Sequence, residues 1–166
     1  TALLERLQYV ADAALAHLTV RELLDELLGR IRNVLQADTA VALLVDPADQ
    51  MLVVVAANGL EAPGDRGARI PFGAGFAGRV AAEQRPIAIN DVERADLAMP
   101  VLRAKGLTSL LGAPLVVEGA MIGVIHVGTL ERRELAAEDA QLLQLVADRA
   151  ALALDHARLY EAERQA

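Results

Sequence analysis

The sequence predicts an α+β domain, in which an antiparallel sheet of five or six strands carries N- and C-terminal helices on one face. A short helix with loops is expected to cap the other face. Apolar residues recur at helical spacing at both ends of the chain. Between them, two pairs of β-rich segments are each joined by a short turn, which is typical of hairpins. These segments are apolar on both sides, so both faces of the sheet must be covered.

The composition sets limits on function. The 166 residues suit one domain, and 54% hydrophobic with 23% charged residues is a globular composition. A net charge of −7 and only 2% aromatic residues disfavour nucleic-acid binding. The chain has no cysteine, which excludes disulfides, thiolate metal sites and thiol nucleophiles. No apolar run reaches the ~20 residues of a membrane span, and no basic signal region opens the chain. We therefore expect a cytoplasmic domain without membrane insertion.

Two helices are predicted before the first strand. Residues 1–18 carry an apolar stripe at helical spacing, formed by Leu3, Leu7, Val10 and Ala14. Thr19 and Glu22 have the spacing of a capping box, in which each side chain accepts a hydrogen bond from the other residue's backbone N–H. A second helix with a leucine-rich face is expected to start there and to end before Asp38.

The middle of the chain predicts strands and the cap. The first hairpin is predicted at residues 39–45 and 51–57, and the second at Ser109–Val117 and Ala120–Thr129. The intervening residues predict two short strands at 69–72 and 86–90, a short helix at 73–84, and a loop at 91–105 with a helical turn around Leu102.

Residues 137–164 predict a helix of about 40 Å at 1.5 Å per residue. It carries two apolar rows, one of Leu145, Leu152 and Leu159, and a second of Leu143, Val146, Ala150, Ala153, Ala157 and Tyr160. One row can lie on the sheet, whereas the other needs the N-terminal helix or a second subunit. The near-heptad spacing favours a homodimer through the terminal helices. The alternative is that both rows pack inside one monomer.

Several motifs follow one another in a characteristic order. They include Ala37-Asp38-Thr39-Ala40, Ile70-Pro71-Phe72-Gly73-Ala74-Gly75-Phe76-Ala77-Gly78-Arg79-Val80, Arg85-Pro86-Ile87-Ala88-Ile89-Asn90-Asp91-Val92, Gly106-Leu107-Thr108-Ser109-Leu110-Leu111-Gly112-Ala113-Pro114-Leu115 and Gly123-Val124-Ile125-His126-Val127-Gly128. Over nearly the whole chain, this pattern resembles the GAF domain, a sensory ligand-binding module related in architecture to PAS domains. Where the family usually has an aromatic residue and a threonine before the last helix, this chain has Leu135 and Ala136.

The resemblance implies three regions in this chain and a separate output domain outside it. Residues 1–18 would form an N-terminal signalling or dimerisation helix, residues 19–136 the GAF core, and residues 137–166 the C-terminal helix, extended as a signalling linker. In bacterial regulators, such linkers lead to histidine kinases, PP2C-type phosphatases or cyclases. The expected function is thus sensory and non-catalytic: a small molecule in a cavity under the 73–105 cap would act through the terminal helices. The alternative is a ligand-free structural dimerisation module whose pocket has collapsed.

The resemblance and the residue chemistry together nominate a pocket. The candidates are Phe72, Gly75, Phe76, Arg79, Ile89, Asp91, Leu102, Ser109, Leu111 and His126. Arg79 could bind a carboxylate or phosphate, or it could be a solvated helix residue. His126 lies in mid-strand, either as a neutral imidazole bonded to a neighbour or as a haem or metal ligand. One histidine without companion ligands does not make a metal site, so we expect no metal and no cofactor.

The sequence motifs give little support for an enzymatic function. Gly73, Gly75 and Gly78 match a dinucleotide-binding fingerprint, but Pro71 interrupts the short strand before them. Ser109 has no nucleophile motif around it. The resemblance also implies two classes that depend on cysteine, the bilin-binding photoreceptors and the free methionine sulfoxide reductases. The chain fits neither class, because it contains no cysteine. The Asn-Lys-Phe-Asp-Glu signature of cyclic-nucleotide binders is also missing.

Overall fold

The computed structural model describes Leu3 and residues 19–60, 67–92, 102 and 105–165, with side chains up to residue 159. The elements in chain order are α1 (Val20–Leu35), β1 (Thr39–Asp46), β2 (Met51–Asn58), β3 (Arg69–Ile70), α2 (Gly75–Glu83), β4 (Ile87–Ile89), β5 (Ser109–Val117), β6 (Ala120–Thr129) and α3 (Ala137–Gln165). The predicted stripe residues Leu7, Val10 and Ala14 lie outside the described residues, as does the side chain of Tyr160. Leu3 is helical and exposed.

The strands form one six-stranded sheet in the order β3-β2-β1-β6-β5-β4. All neighbouring strands pair antiparallel, and the two long hairpins meet through β1 and β6 at the centre. The predicted α+β class and sheet type are confirmed. Because an antiparallel sheet cannot hold a dinucleotide in the crevice of parallel strands, the Gly73-Gly75-Gly78 motif has no Rossmann context.

Side chains that alternate along each strand divide the core into two layers. The helix-side layer contains α1, α3 and the small strand residues Ala40, Ala42, Ala56 and Ala113. The cap-side layer contains α2 and larger strand residues, among them Val41, Leu43, Leu52, Leu110 and Val124. Alanine on one face lets two helices approach the strands closely, while branched side chains fill the other face. Both faces of the sheet are therefore covered, as the sequence predicts.

The helix ends have their own polar partners. Thr19 Oγ1 accepts from Glu22 N at 3.2 Å, and Thr19 N donates to Glu22 Oε1 at 3.4 Å, so the predicted capping box is present. At the start of α3, Asp139 Oδ2 accepts from Ala136 N at 2.9 Å. This carboxylate satisfies one of the backbone donors that a helix start leaves without an intrahelical partner.

The α3 helix buries one of its two predicted apolar rows. Leu143, Val146, Ala150 and Ala157 are buried against the sheet and α1, whereas Leu145, Leu152 and Leu159 are exposed. Among the described helices, none has the length and apolar character that a membrane span requires.

We expect Leu154→Ala to lower the free energy of unfolding by about 2–5 kcal/mol, because Leu154 is fully buried and its loss leaves a cavity. Urea unfolding followed by circular dichroism measures this. The control Leu130→Ala removes an exposed leucine and should change the free energy by less than about 0.5 kcal/mol. Equal effects of the two substitutions would contradict the assigned burial.

Candidate functional site

The candidate site lies on the cap side of the central strands, beneath α2. His126 projects from β6 between Val41 of β1 and Gly112 of β5, its paired neighbours. The rings of His126 and Phe76 meet edge to face, with centroids 5.6 Å apart. Gly112 makes this possible, because a Cβ there would lie 2.9 Å from Phe76 Cε2. The first residues of α2 are thereby seated directly over the histidine.

The imidazole of His126 is fully buried, and neither Nδ1 nor Nε2 has a hydrogen-bond partner among the described residues. Burial lowers the pKa of His126 from 6.5 to about 4, because the charged form would lose its hydration. At neutral pH the ring is therefore uncharged, with one N–H donor and one nitrogen acceptor. Leaving both unpaired in an apolar layer is costly, and such groups are rare in native cores.

A second side chain with an unpartnered polar atom lies on the same face. Thr39 is fully buried on β1, opposite Gly128 of β6, and its Oγ1 has no hydrogen-bond partner in the part of the chain that the structure describes. Because His126 is two residues from Gly128, the two polar side chains are diagonal neighbours on adjacent strands. Sequence reasoning missed Thr39 as a site residue. The period-two alternation of β1, which places residue 39 on the face of Val41, could have found it.

The predicted pocket residues fall into separate groups. Phe76, Leu102 and His126 lie in or against the cap-side layer, with Ile89 half-buried beside it, and Gly75 is buried at the start of α2 with φ +65°. Leu111 is different, because it packs in the helix-side layer. It therefore cannot line a space beneath the cap, and its assignment there was wrong by one residue of strand alternation.

Four other candidates point elsewhere. Phe72 is 36% exposed, and Asp91 is exposed two residues after the end of β4. Arg79 is exposed, and its Nε donates to Glu83 Oε2 at 2.6 Å, so it is a surface helix residue rather than an anion ligand beneath the cap. Ser109 is buried, but its Oγ donates to Arg133 O at 3.0 Å. The hydroxyl is thus already engaged in a structural contact.

The segment from β6 to α3 connects the cap to both long helices. Asn90, which follows β4, accepts a hydrogen bond at Oδ1 from Leu135 N at 3.2 Å. Arg133 Nη1 donates to Leu35 O at the end of α1 at 2.8 Å, and its Nη2 donates to Asp139 Oδ1 at 3.0 Å. A displacement of β4 would therefore pull on the residues from which α3 begins.

A surface cleft, which sequence reasoning did not foresee, lies at the C-terminal end of α1. It is lined by Gly29, Arg32, Asn33, Gln36 and Ala37. Arg32 Nη1 donates to Asn58 Oδ1, while no described residue is a hydrogen-bond partner of the buried Nε. Among the described residues, no three His, Asp or Glu side chains converge as metal ligands.

The family model for the GAF domain matches residues 17–155, and the chain belongs to this family. No curated protein is matched by the sequence. Among solved structures, the chain is similar to the GAF domain of a phosphoenolpyruvate-protein phosphotransferase from Coxiella burnetii. The two are 25% identical, with 96% of each chain covered and a TM-score of 0.82.

Two further structures widen the range of functions found on this fold. A methyl-accepting chemotaxis protein fragment is 26% identical, with 96% of this chain and 99% of that chain covered and a TM-score of 0.71. The free methionine-R-sulfoxide reductase of Neisseria meningitidis, solved with its substrate, is 22% identical. In that comparison 96% of this chain and 89% of the other are covered, with a TM-score of 0.76. GAF domains thus occur in signalling proteins, and the same fold also serves an enzyme.

We expect His126 to make the protein acid-sensitive. The unfolded histidine takes up a proton below about pH 6.5, whereas the buried one does so only near pH 4. Stability is therefore present above the unfolded pKa and is lost as pH falls, by up to about 3 kcal/mol. Urea unfolding of the wild type and of His126→Leu across this range isolates the effect.

The exposed His156 provides the matched control. His156→Gln should retain the acid sensitivity of the wild type, while His126→Leu should lose that share of it. Parallel pH profiles for the wild type and His126→Leu would contradict the burial of a neutral imidazole.

Proposed function

We propose that this chain is a non-catalytic sensory GAF domain that binds a small, uncharged molecule beneath the 73–105 cap. The observation that carries the proposal is the fully buried His126, whose two ring nitrogens have no hydrogen-bond partner within the described ranges of the chain. A ligand that offers one acceptor and one donor would satisfy them and recover the cost of their burial. Thr39 Oγ1, on the same face, would add a third polar contact.

The ligand class follows from the layer around the histidine. Apart from Thr39, the described side chains that surround it on the cap side are hydrocarbon or aromatic, among them Val41, Phe76, Leu110 and Val124. A charged ligand would lose its hydration there without a compensating charge. The exposed ion pair of Arg79 with Glu83 supplies none beneath the cap. A mostly apolar molecule with a carbonyl, amide or hydroxyl group therefore suits the site best.

Transmission would use the connection between β4 and α3. A ligand that favours one position of α2 and β4 would bias the Asn90–Leu135 hydrogen bond, and through Arg133 the ends of both long helices. Differential affinity of ~1–3 kcal/mol for two arrangements is enough for useful coupling. The output would be a domain beyond α3 in a cytoplasmic signalling protein, such as a histidine kinase, a PP2C-type phosphatase or a cyclase.

Absence of catalysis is part of the proposal. The reductase neighbour is under 25% identical, so its likeness concerns the fold. The resemblance implies catalytic cysteines for that branch, and this chain contains none. Among the residues that the structure describes, no carboxylate or hydroxyl is hydrogen-bonded to His126 in the way that would prepare it as a general base.

A ligand-free dimerisation module is the second candidate. It is favoured by the close packing of Phe76 and Val80 over Gly112, which fills part of the space beneath α2. In that case the unpaired ring nitrogens of His126 would be an energetic cost that the fold tolerates. The two functions differ in whether the purified chain retains or accepts a guest.

Native mass spectrometry of the chain, purified and then incubated with a small-molecule extract of the expressing cells, tests binding. We expect a retained neutral mass in the wild type and in His156→Gln, and its loss in His126→Leu, because the buried imidazole supplies two of the three proposed polar contacts. Equal spectra for the wild type and His126→Leu would refute the binding site. A correctly folded wild type that carries no mass would favour the dimerisation module.

The transmission route has its own test at Asn90. Asn90→Ala removes the acceptor of the Leu135 N–H, whereas Asn90→Asp keeps an oxygen there. We expect faster amide hydrogen exchange at residues 134–138 in Asn90→Ala, by about fivefold to tenfold for a lost bond of about 1 kcal/mol, and little change in Asn90→Asp. Unchanged exchange in both variants would contradict this route.

A further inference from the structure

The cleft at the C-terminal end of α1 lies away from the space beneath the cap. Its volume is about 270 Å³, and its walls are formed by Gly29, Arg32, Asn33, Gln36 and Ala37. The α1 helix packs on the face of the sheet opposite to α2. A molecule held in this cleft would therefore be independent of one that His126 contacts.

Arg32 is the charged group of the cleft, and it differs from comparable arginines. Three arginines are half-buried in the part of the chain that the structure describes. Arg30 pairs with Glu26, at 3.8 Å between Nε and Oε2. Arg133 pairs with Asp139, at 3.0 Å between Nη2 and Oδ1. Arg32 has no ion pair with any described carboxylate, so its charge has lost hydration without gaining an anion.

Most hydrogen-bond donors of the Arg32 guanidinium are unused. The group carries five N–H donors, and the single hydrogen bond it makes to the described residues runs from Nη1 to Asn58 Oδ1. Its Nε is buried without a partner among these residues. Because Asn58 is a neutral amide, that bond leaves the positive charge uncompensated. A ligand with negatively charged oxygen atoms would supply both the charge and the acceptors.

Gly29 keeps the cleft open beside this group. It lies inside α1, where glycine is less favourable than alanine. A Cβ at residue 29 would have one described neighbour within 4 Å, which is Asn58 Nδ2 at an ordinary contact distance of 3.8 Å. Packing against the described residues therefore does not require glycine here. A larger side chain would extend into the cleft that Gly29 lines.

The charges around the cleft favour a ligand with one negative charge. The C-terminal end of a helix is partially negative, and the chain has a net charge of −7. Both disfavour a phosphate group, which carries about −1.5 to −2 charges near neutral pH. Arg133 offsets part of the charge at this helix end, because its Nη1 donates to Leu35 O at 2.8 Å. One guanidinium then balances one carboxylate.

We propose that this cleft binds a small carboxylate ion, whose oxygen atoms accept hydrogen bonds from Arg32. The exposed amides of Asn33 and Gln36 would add donors at the rim. Gln36 Nε2 donates to Asn33 O at 2.7 Å, which leaves its second N–H for the ligand. A small ligand in an open cleft makes few contacts, so we expect a dissociation constant on the order of millimolar.

A titration with acetate, followed by nuclear magnetic resonance, tests the proposal. The isotope-labelled chain of 166 residues receives sodium acetate in place of sodium chloride, at constant ionic strength. We expect saturable shifts of the Arg32 Nε–H and Ala37 backbone amide signals. Inorganic phosphate at the same ionic strength should shift them less, because of its higher charge.

Two variants and a matched control assign the site. Arg32→Gln removes the charge and should abolish saturation at the Ala37 amide, whereas Arg30→Gln removes the neighbouring paired arginine and should retain it. Gly29→Leu fills the cleft while Arg32 stays in place, and it should also abolish binding. Leucine favours a helix more than glycine does, so this variant keeps the test decisive if Arg32→Gln does not fold.

Four results would overturn the proposal. The first two are a wild type whose signals drift without saturation, and saturation that persists in a folded Arg32→Gln or Gly29→Leu. The third is phosphate that saturates at lower concentration than acetate, which would contradict the carboxylate assignment. The fourth is loss of acetate binding in a folded His126→Leu, which would assign the ion to the space beneath the cap.

Discussion

The architecture depends on one constraint, which is that the central strands are apolar on both faces. A sheet of this kind is stable only when two separate layers exclude water from it. The chain meets this requirement with unequal covers. Small residues such as Ala40 and Ala113 allow the long helices to approach closely, while larger side chains such as Leu43 and Leu110 lie on the side covered by the short helix α2. The two sides of one sheet thus have different packing and different capacity for change.

Hydrogen bonds of the segment between β6 and α3 connect the cap-side elements with the long helices. The segment that leaves β6 bonds to the start of β5, to the residue after β4 and to the end of α1 before it enters α3. The guanidinium of Arg133 in this segment donates to the backbone carbonyls of Leu35 and Gln36, so the position of the segment is tied to the end of α1. Whatever moves β4 therefore acts on α3 at its first turn, where a helix has the least internal support.

Much of the fold can be predicted from the sequence, because the spacing of apolar residues indicates which side chains are buried. The capping box at Thr19, the two hairpins and the long last helix all follow from local pattern, and the structure contains them. The candidate site is harder to predict from the sequence. Leu110 and Leu111 are identical in chemistry, and only the strand register places one beneath the cap and the other against the helices. Arg79 looked available for an anion, yet Glu83 one turn later engages it.

Two glycines on the cap-side face, Gly112 and Gly128, have a consequence for how such a domain can diversify. A methyl group at either position would press on Phe76 or on Leu107, and the strand alternation would keep that disturbance away from the opposite layer. Under the proposed function, the size of the ligand that fits beneath the cap therefore depends on having a hydrogen atom, rather than a methyl group, as the side chain at these two positions. A lineage could therefore retune what it senses by one point substitution while its output helices stay as they are.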